Sequence, residues 1–145
     1  MDISAQTPTR VWTFGSKSAP VELTLNAMTA LDDDIAIQTA AKWFGELATS
    51  AATQAEFGLP VTDLDAVIAD VKKEMCDVKA YSRYLYSVAL AVRLVRALTG
   101  LKVEGEVAQP TRRTFAILFK DTDLMNDFLK IATKRFHAQR AAGNA

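Results

Sequence analysis

Acid, base or nucleophilic catalysis needs groups with matched roles placed together, and histidines, thiols and paired carboxylates are its commonest carriers. This chain offers few of them. Its one histidine, His137, stands in "KRFHAQR", where its neighbours are cationic and no carboxylate is at hand to orient it. A solvated histidine at a helix end fits that setting. Its one cysteine, Cys76, lies beside Glu74 and Asp77, and nearby acids raise a thiol pKa when a nucleophile needs it lowered. Cys76 therefore reads as a core or interface thiol, and a lone cysteine leaves neither a disulfide partner nor a zinc set. Asp32, Asp33 and Asp34 bring three carboxylates together, yet adjacent residues on a helix point in different directions, and no second acidic cluster at metal spacing accompanies them. The positive end of a helix dipole accounts for the triplet. The expectation is a non-enzymatic protein with no catalytic residue, no metal and no cofactor.

Two basic sets remain as binding candidates. On a continuous helix, Lys72, Lys79, Arg83, Tyr86 and Arg93 fall within an arc of about 90°. A basic stripe with a tyrosine suits nucleic acid, but Met75, Leu90 and Leu94 lie on or beside it and acids intervene, so a solvated or protein-binding face is favoured. The second set is Lys130, Lys134, Arg135 and Arg140, with Phe136 beside it. It suits phosphates or an acidic protein surface, and cations near a helix C-terminus are also favoured by the dipole alone. The chain has 17 basic and 17 acidic residues, so no global field attracts nucleic acid. The balance conceals an asymmetry: residues 1–109 carry −4 and residues 110–145 carry +4. Head and tail can attract each other within one molecule or between neighbours.

At 145 residues, half of them hydrophobic, the chain can bury one core without staples, which predicts a single domain. "MDISAQTPTR" has no basic leader before an apolar core, and the apolar-rich run "LYSVALAVRLVRAL" is interrupted by Arg93 and Arg96, so neither secretion nor a membrane span is expected. The single cysteine suits a reducing compartment, and the cytoplasm is the expected location.

In "VWTFGSKSAPVELTL" the large apolar residues alternate, with Trp12 and Phe14 on one face of a first strand and Val21, Leu23 and Leu25 on one face of a second. Gly15 and Pro20 lie in the intervening "GSKSAP" and suit a turn. A lone hairpin is marginal in water, so this one must pack on helices or extend a partner's sheet. Trp12, Phe14, Trp43 and Phe44 are expected to join hairpin and first helix, although aromatics on a marginal hairpin also serve as interface anchors.

Thr29 or a following aspartate caps a first helix that runs to about Ala52, with Leu31, Ile35, Phe44, Leu47 and Ala51 on one face and Ala40, Ala41 and Ala48 permitting close packing. Gly45 lies inside it and suits a bend. Gly58 and Pro60 then break the pattern, and Thr62 with Asp65 suits a capping box. Leu64, Val67, Ile68, Val71, Met75 and Val78 keep helical spacing in a stretch without Gly or Pro that reaches Thr99. A break is expected near 76–80, because nearly forty residues exceed an ordinary helix. Residues 81–98, apolar around most of the circumference, predict a central helix stopped by Gly100 and Leu101. "LKVEGEVAQP" predicts a loop or short extended stretch, "TRRTFAILFK" fits a strand or a short helix, and Asp121 or Thr122 caps a last helix with Leu124, Phe128, Leu129, Ile131, Ala132 and Phe136 inward.

The resulting expectation is a mainly α, helical bundle-like domain with an N-terminal β-hairpin. Residues 1–9 form a flexible N-terminus, 10–26 the hairpin, 29–99 a helical body, 100–120 a connecting loop with a short strand or helix, and 121–140 the C-terminal helix.

The run "VWTFGSKSAPVELTLNAMTALDDDIAIQTAAK" joins a strand ending in Phe, a turn, a "VxLxL" strand, "MTALDDD" and an Ala-rich helix. It resembles the beginning of the tail assembly chaperones of long-tailed bacteriophages. The resemblance covers about the first fifty residues, with a looser match to a terminal helix bearing aromatic and basic residues. It implies a protein that keeps a tape-measure protein soluble while tail-tube subunits polymerise, with self-association into a homo-oligomer as a second contact, in the cytoplasm of the host. Trp12, Phe14, Val21, Leu23 and Leu25 are then the interface candidates, with Lys130, Lys134, Arg135 and Arg140 second. Two other classes stand beside it: a virion component such as a head-tail joining or minor capsid protein, and a nucleic-acid-binding regulator.

Overall fold

The computed structural model describes the backbone of residues 8–58 and 75–143, and the side chains of residues 8–58 and 81–134. Strands β1 (Thr9–Ser16) and β2 (Ala19–Asn26) form the opening hairpin, with Trp12 opposite Leu23 and Phe14 opposite Val21. The turn is the pair Lys17 and Ser18, so Gly15 and Pro20 belong to the strand ends. Alternation places Val21, Leu23 and Leu25 on one buried face, as the period of two requires.

Helix α1 (Ala30–Leu47) begins on a capping box: the Thr29 hydroxyl accepts from the Asp32 amide at 3.2 Å, and the Asp32 carboxylate accepts from the Thr29 amide at 2.9 Å. Its inward face carries Ala36, Ala40, Trp43 and Leu47. That face is rotated from the predicted one, because the small side chains of Ala36 and Ala40 let α1 approach the central helix closely, and Leu31 is left 62% exposed. The helix stops at Leu47, short of Ala52. Ser50 caps a separate helix α2 (Ala51–Glu56), and the buried Gln54 amide donates to the Leu47 carbonyl at 2.8 Å, satisfying a terminal group of α1.

Helix α3 (Met75–Leu94) buries Leu85, Leu90 and Leu94 together with the run from Ser87 to Ala91, and is the central helix that the apolar circumference predicted. It does not continue to Thr99. Residues Val95–Thr99 form β3, which pairs antiparallel with β2, with Leu23 opposite Leu98, Thr24 opposite Ala97 and an irregularity before Leu25 meets Val95. The hairpin therefore does have a further strand to join, and β2 is the middle of a three-stranded sheet in the order β1-β2-β3. The domain is mixed α and β, with helices packed on a sheet. This corrects the expectation of a mainly α, helical bundle-like domain. The physical reason is that the unpaired edge of β2 offers Val95–Thr99 a hydrogen-bonded ladder, which a local pattern cannot register.

Gly100 terminates β3 in place of capping a helix. Its φ is +83°, and a Cβ there would lie 2.3 Å from the Pro20 carbonyl oxygen. The loop after it holds a tight hairpin, β4 (Lys102–Val103) with β5 (Glu106–Val107). "TRRTFAILFK" resolves as helix α4 (Arg112–Leu118), capped by Thr111, with Phe115 and Ala116 buried. Helix α5 (Thr122–Gly143) starts where predicted: one Asp121 carboxylate oxygen accepts from the amides of Asp123 and Leu124 at 3.0 and 3.2 Å. Met125, Phe128 and Ala132 face the core.

The aromatic side chains form two clusters. Trp12 meets Phe14 and Phe128 of α5, with ring centroids 4.4 and 5.9 Å away, and Phe128 stacks on Phe119. Trp43 instead meets Phe57, which meets Tyr84. Hairpin and first helix thus send their aromatics to different neighbours, and α5 takes the place in which α1 was expected.

Candidate functional site

Among the hairpin residues predicted to face a partner, Trp12, Val21, Leu23 and Leu25 are buried in the chain's own core, and Phe14 is partly buried against it. The fold engages these side chains in its own core. The same alternation that placed them on one face accounts for this, since the face is covered by helices. Lys130 and Lys134 are exposed, one turn apart on α5. The side chains of Arg135 and Arg140 lie outside the described residues, as do those of Lys72, Met75, Cys76, Lys79, Phe136 and His137 and the Thr62 to Val78 pattern.

The described members of the basic stripe are held by partners within the fold. Arg93 pairs with Asp32 at 2.5 Å, the Tyr86 hydroxyl donates to Asp33 at 2.5 Å, and Arg83 donates to the Asn126 side chain at 2.7 Å. The acidic triplet consequently does more than start a helix: two of its three carboxylates tie α1 to α3. Burial pushes Asp32 up, but hydrogen bonds from the Thr29 amide and hydroxyl, together with Arg93, outweigh it and leave the carboxyl below its ordinary value. Burial first, and then Asp33, raises Tyr86, keeping the phenol a neutral donor.

Beside these ties runs an apolar groove between α1 and α3, with a volume of about 500 Å³. Ile37, Ala40 and Phe44 of α1 line it against Ser82, Arg83 and Tyr86 of α3. Ile37 is 53% exposed. The Arg83 and Tyr86 heads are fixed by Asn126 and Asp33, so the groove combines apolar side chains with two positioned polar groups. Sequence reading missed Ile37 because it lies off the apolar face; an isolated large aliphatic on a helix's polar side was the available signal.

At the opposite end of α1, Arg112 holds three elements together. Its guanidinium lies 5.2 Å from the Trp43 ring and 5.3 Å from the Phe57 ring, is hydrogen-bonded to Glu56, and reaches Glu46 at 3.7 Å. This hydrogen bond holds the Glu56 carboxyl below its ordinary value against the opposing effect of burial. An arginine stacked on aromatics and paired with carboxylates locks α4 against α1 and α2.

A fourth feature is backbone. The Ala27 amide donates to the Pro8 carbonyl at 2.8 Å, and by the pairing register Arg10, Trp12 and Phe14 share Pro8's phase. Their peptide groups face β2, whereas those of Thr9, Val11 and Thr13 face outward at the edge of the sheet. Val11 is 57% exposed.

No protein-family model, curated protein or solved structure matches the chain. Among the described residues, no helix is long and apolar enough to cross a membrane, and no three His, Cys, Asp or Glu side chains gather as a metal set. Among the described residues, the fold leaves an apolar groove between α1 and α3, and it leaves the outer edge of β1 unpaired with another strand.

Proposed function

We propose that this protein is a non-enzymatic assembly chaperone or adaptor of the phage tail type, acting in the host cytoplasm by contact with tape-measure or tail-tube proteins. The observation that supports this reading is the groove between α1 and α3. An amphipathic partner helix can lay aliphatic side chains against Ile37, Ala40 and Phe44 and meet Arg83 with an acidic residue at the rim. The N-terminal resemblance supplies the class of partner, whose long apolar helices need such cover until they are assembled.

The test is aggregation of a tape-measure helix peptide, followed by light scattering with and without the purified full chain. Suppression near one chain per peptide is expected, weakened at least tenfold by Ile37→Lys with the thermal midpoint unchanged. Aggregation that proceeds equally in the presence of the chain overturns the reading. Persistence of the protein in finished particles would instead favour a head-tail joining or minor capsid component.

A further inference from the structure

We infer that the outer edge of β1 is a pairing site for the same edge of a second copy of this chain, joined antiparallel so that two three-stranded sheets become one. This deepens the contact reading above by naming one partner, and it rests on that reading only for its biological purpose.

The two edges of the sheet differ in how they meet solvent. The β3 edge is five residues long, its register is broken opposite Thr24 and Leu25, and it exposes Arg96. Shortness, irregularity and charge are the devices by which sheets prevent edge-to-edge pairing. The β1 edge is neither short nor irregular, and its one charge, Arg10, lies on the face turned away from Val11 and Thr13. It is eight residues long, has no proline or lysine, and pairs in unbroken register with β2. Among the described residues no other strand lies beside it. Thr9, Val11 and Thr13 direct uncharged, β-branched side chains to the exposed face and their N–H and C=O groups outward, without a strand partner among the described residues.

A second copy matches this edge because outward groups must meet outward groups. A twofold axis at Trp12 sets Val11 opposite Thr13 of the second copy and Thr13 opposite its Val11, each a hydrogen-bonded pair of favourable β-branched residues. The one charge on the strand, Arg10, then falls opposite Phe14 of the second copy and not opposite another Arg10. With zero formal net charge, two chains meet without global repulsion. The contact is isologous, so it closes at two chains by this edge.

Thr13→Pro tests the inference selectively, because the Thr13 amide takes no part in the ladder with β2, and proline is tolerated where a strand's N–H faces solvent. The full chain is measured by sedimentation across a concentration series, with amide exchange read on β1. Wild type is expected to rise from the mass of one chain to that of two, with the Val11 and Thr13 amides gaining protection as it does. Thr13→Pro should weaken association at least tenfold with little change in thermal midpoint. If Thr13→Pro fails to fold, Val11→Lys on the exposed face carries the same expectation. A wild type that stays monomeric, or a dimer that survives both substitutions, overturns the inference, as does a dimer split by Ile37→Lys alone. A dimer split by Thr13→Pro, in a chain that leaves the tape-measure peptide to aggregate, overturns only the chaperone reading.

Discussion

At the scale of single residues, identical types carry opposite constraints. Gly45 lies in α1 with no atom within 4 Å of an added Cβ, whereas Gly100 combines φ +83° with a Cβ position 2.3 Å from the Pro20 carbonyl oxygen. Gly45→Ala should therefore stabilise the chain by about 0.5 to 1 kcal/mol, because glycine inside a helix loses backbone entropy without return. Gly100→Ala should destabilise it by roughly 2 kcal/mol or more, since backbone cannot yield as a flexible side chain does. Urea unfolding of the two variants checks both signs, and equal effects would show that β3 does not close on the hairpin turn as described. Thr29 was legible from sequence as a cap because its chemistry is local. The partners of Asp32 and Asp33 were not, because Arg93 and Tyr86 lie 61 and 53 residues away.

At the scale of elements, the strands and helices that obey a strict local period were legible. The hairpin, the start of α1 and the start of α5 follow from alternation and caps. Val95–Thr99 was not, since its apolar pattern continues that of α3 and only the β2 edge makes it a strand. The hairpin's inward face is buried within the chain's own core. Trp12 is 4% exposed and sits between Phe14 and Phe128. Trp12→Ala should cost about 3 to 5 kcal/mol, lowering the denaturation midpoint steeply. Val11→Ala, one residue away on the exposed face, should change monomer stability by less than about 0.5 kcal/mol. Similar effects at the two positions would mean that the sheet is not covered on one face only.

At the scale of the whole molecule, the ion pairs join elements distant in sequence, Arg93 with Asp32 and Arg112 with Glu56. Asp32 and Glu56 are held below their ordinary values of 3.8 and 4.5. A carboxylate whose folded value is depressed adds stability that is present above the unfolded value and is lost as pH falls through the folded one. The thermal midpoint should thus be flat near neutrality and decline below about pH 4.5. Tyr81 is pushed by burial up to about 12, and Tyr86 is raised too. For these phenols the sign reverses: their contribution is complete below pH 10 and is lost as pH rises through the raised values. Glu56→Gln should flatten part of the acid decline, and an unchanged slope would show that Arg112 does not hold that carboxylate in solution.

The sequence by itself determined what is local in origin: the hairpin with its alternating faces, the Thr29 and Asp121 starts, the apolar central helix, and a composition without an evident catalytic set. Only the tertiary structure decided which open edge received Val95–Thr99, that α4 is a helix, that Trp12 meets α5 and not α1, and that Arg83, Tyr86 and Arg93 are tied to other elements. Period and capping act over one or two turns, so they are written in neighbouring residues. Edge pairing, burial of a face and the pairing of charges depend on segments brought together from far along the chain, and the apolar groove and the β1 edge are two of the surfaces that assembly leaves uncovered among the described residues.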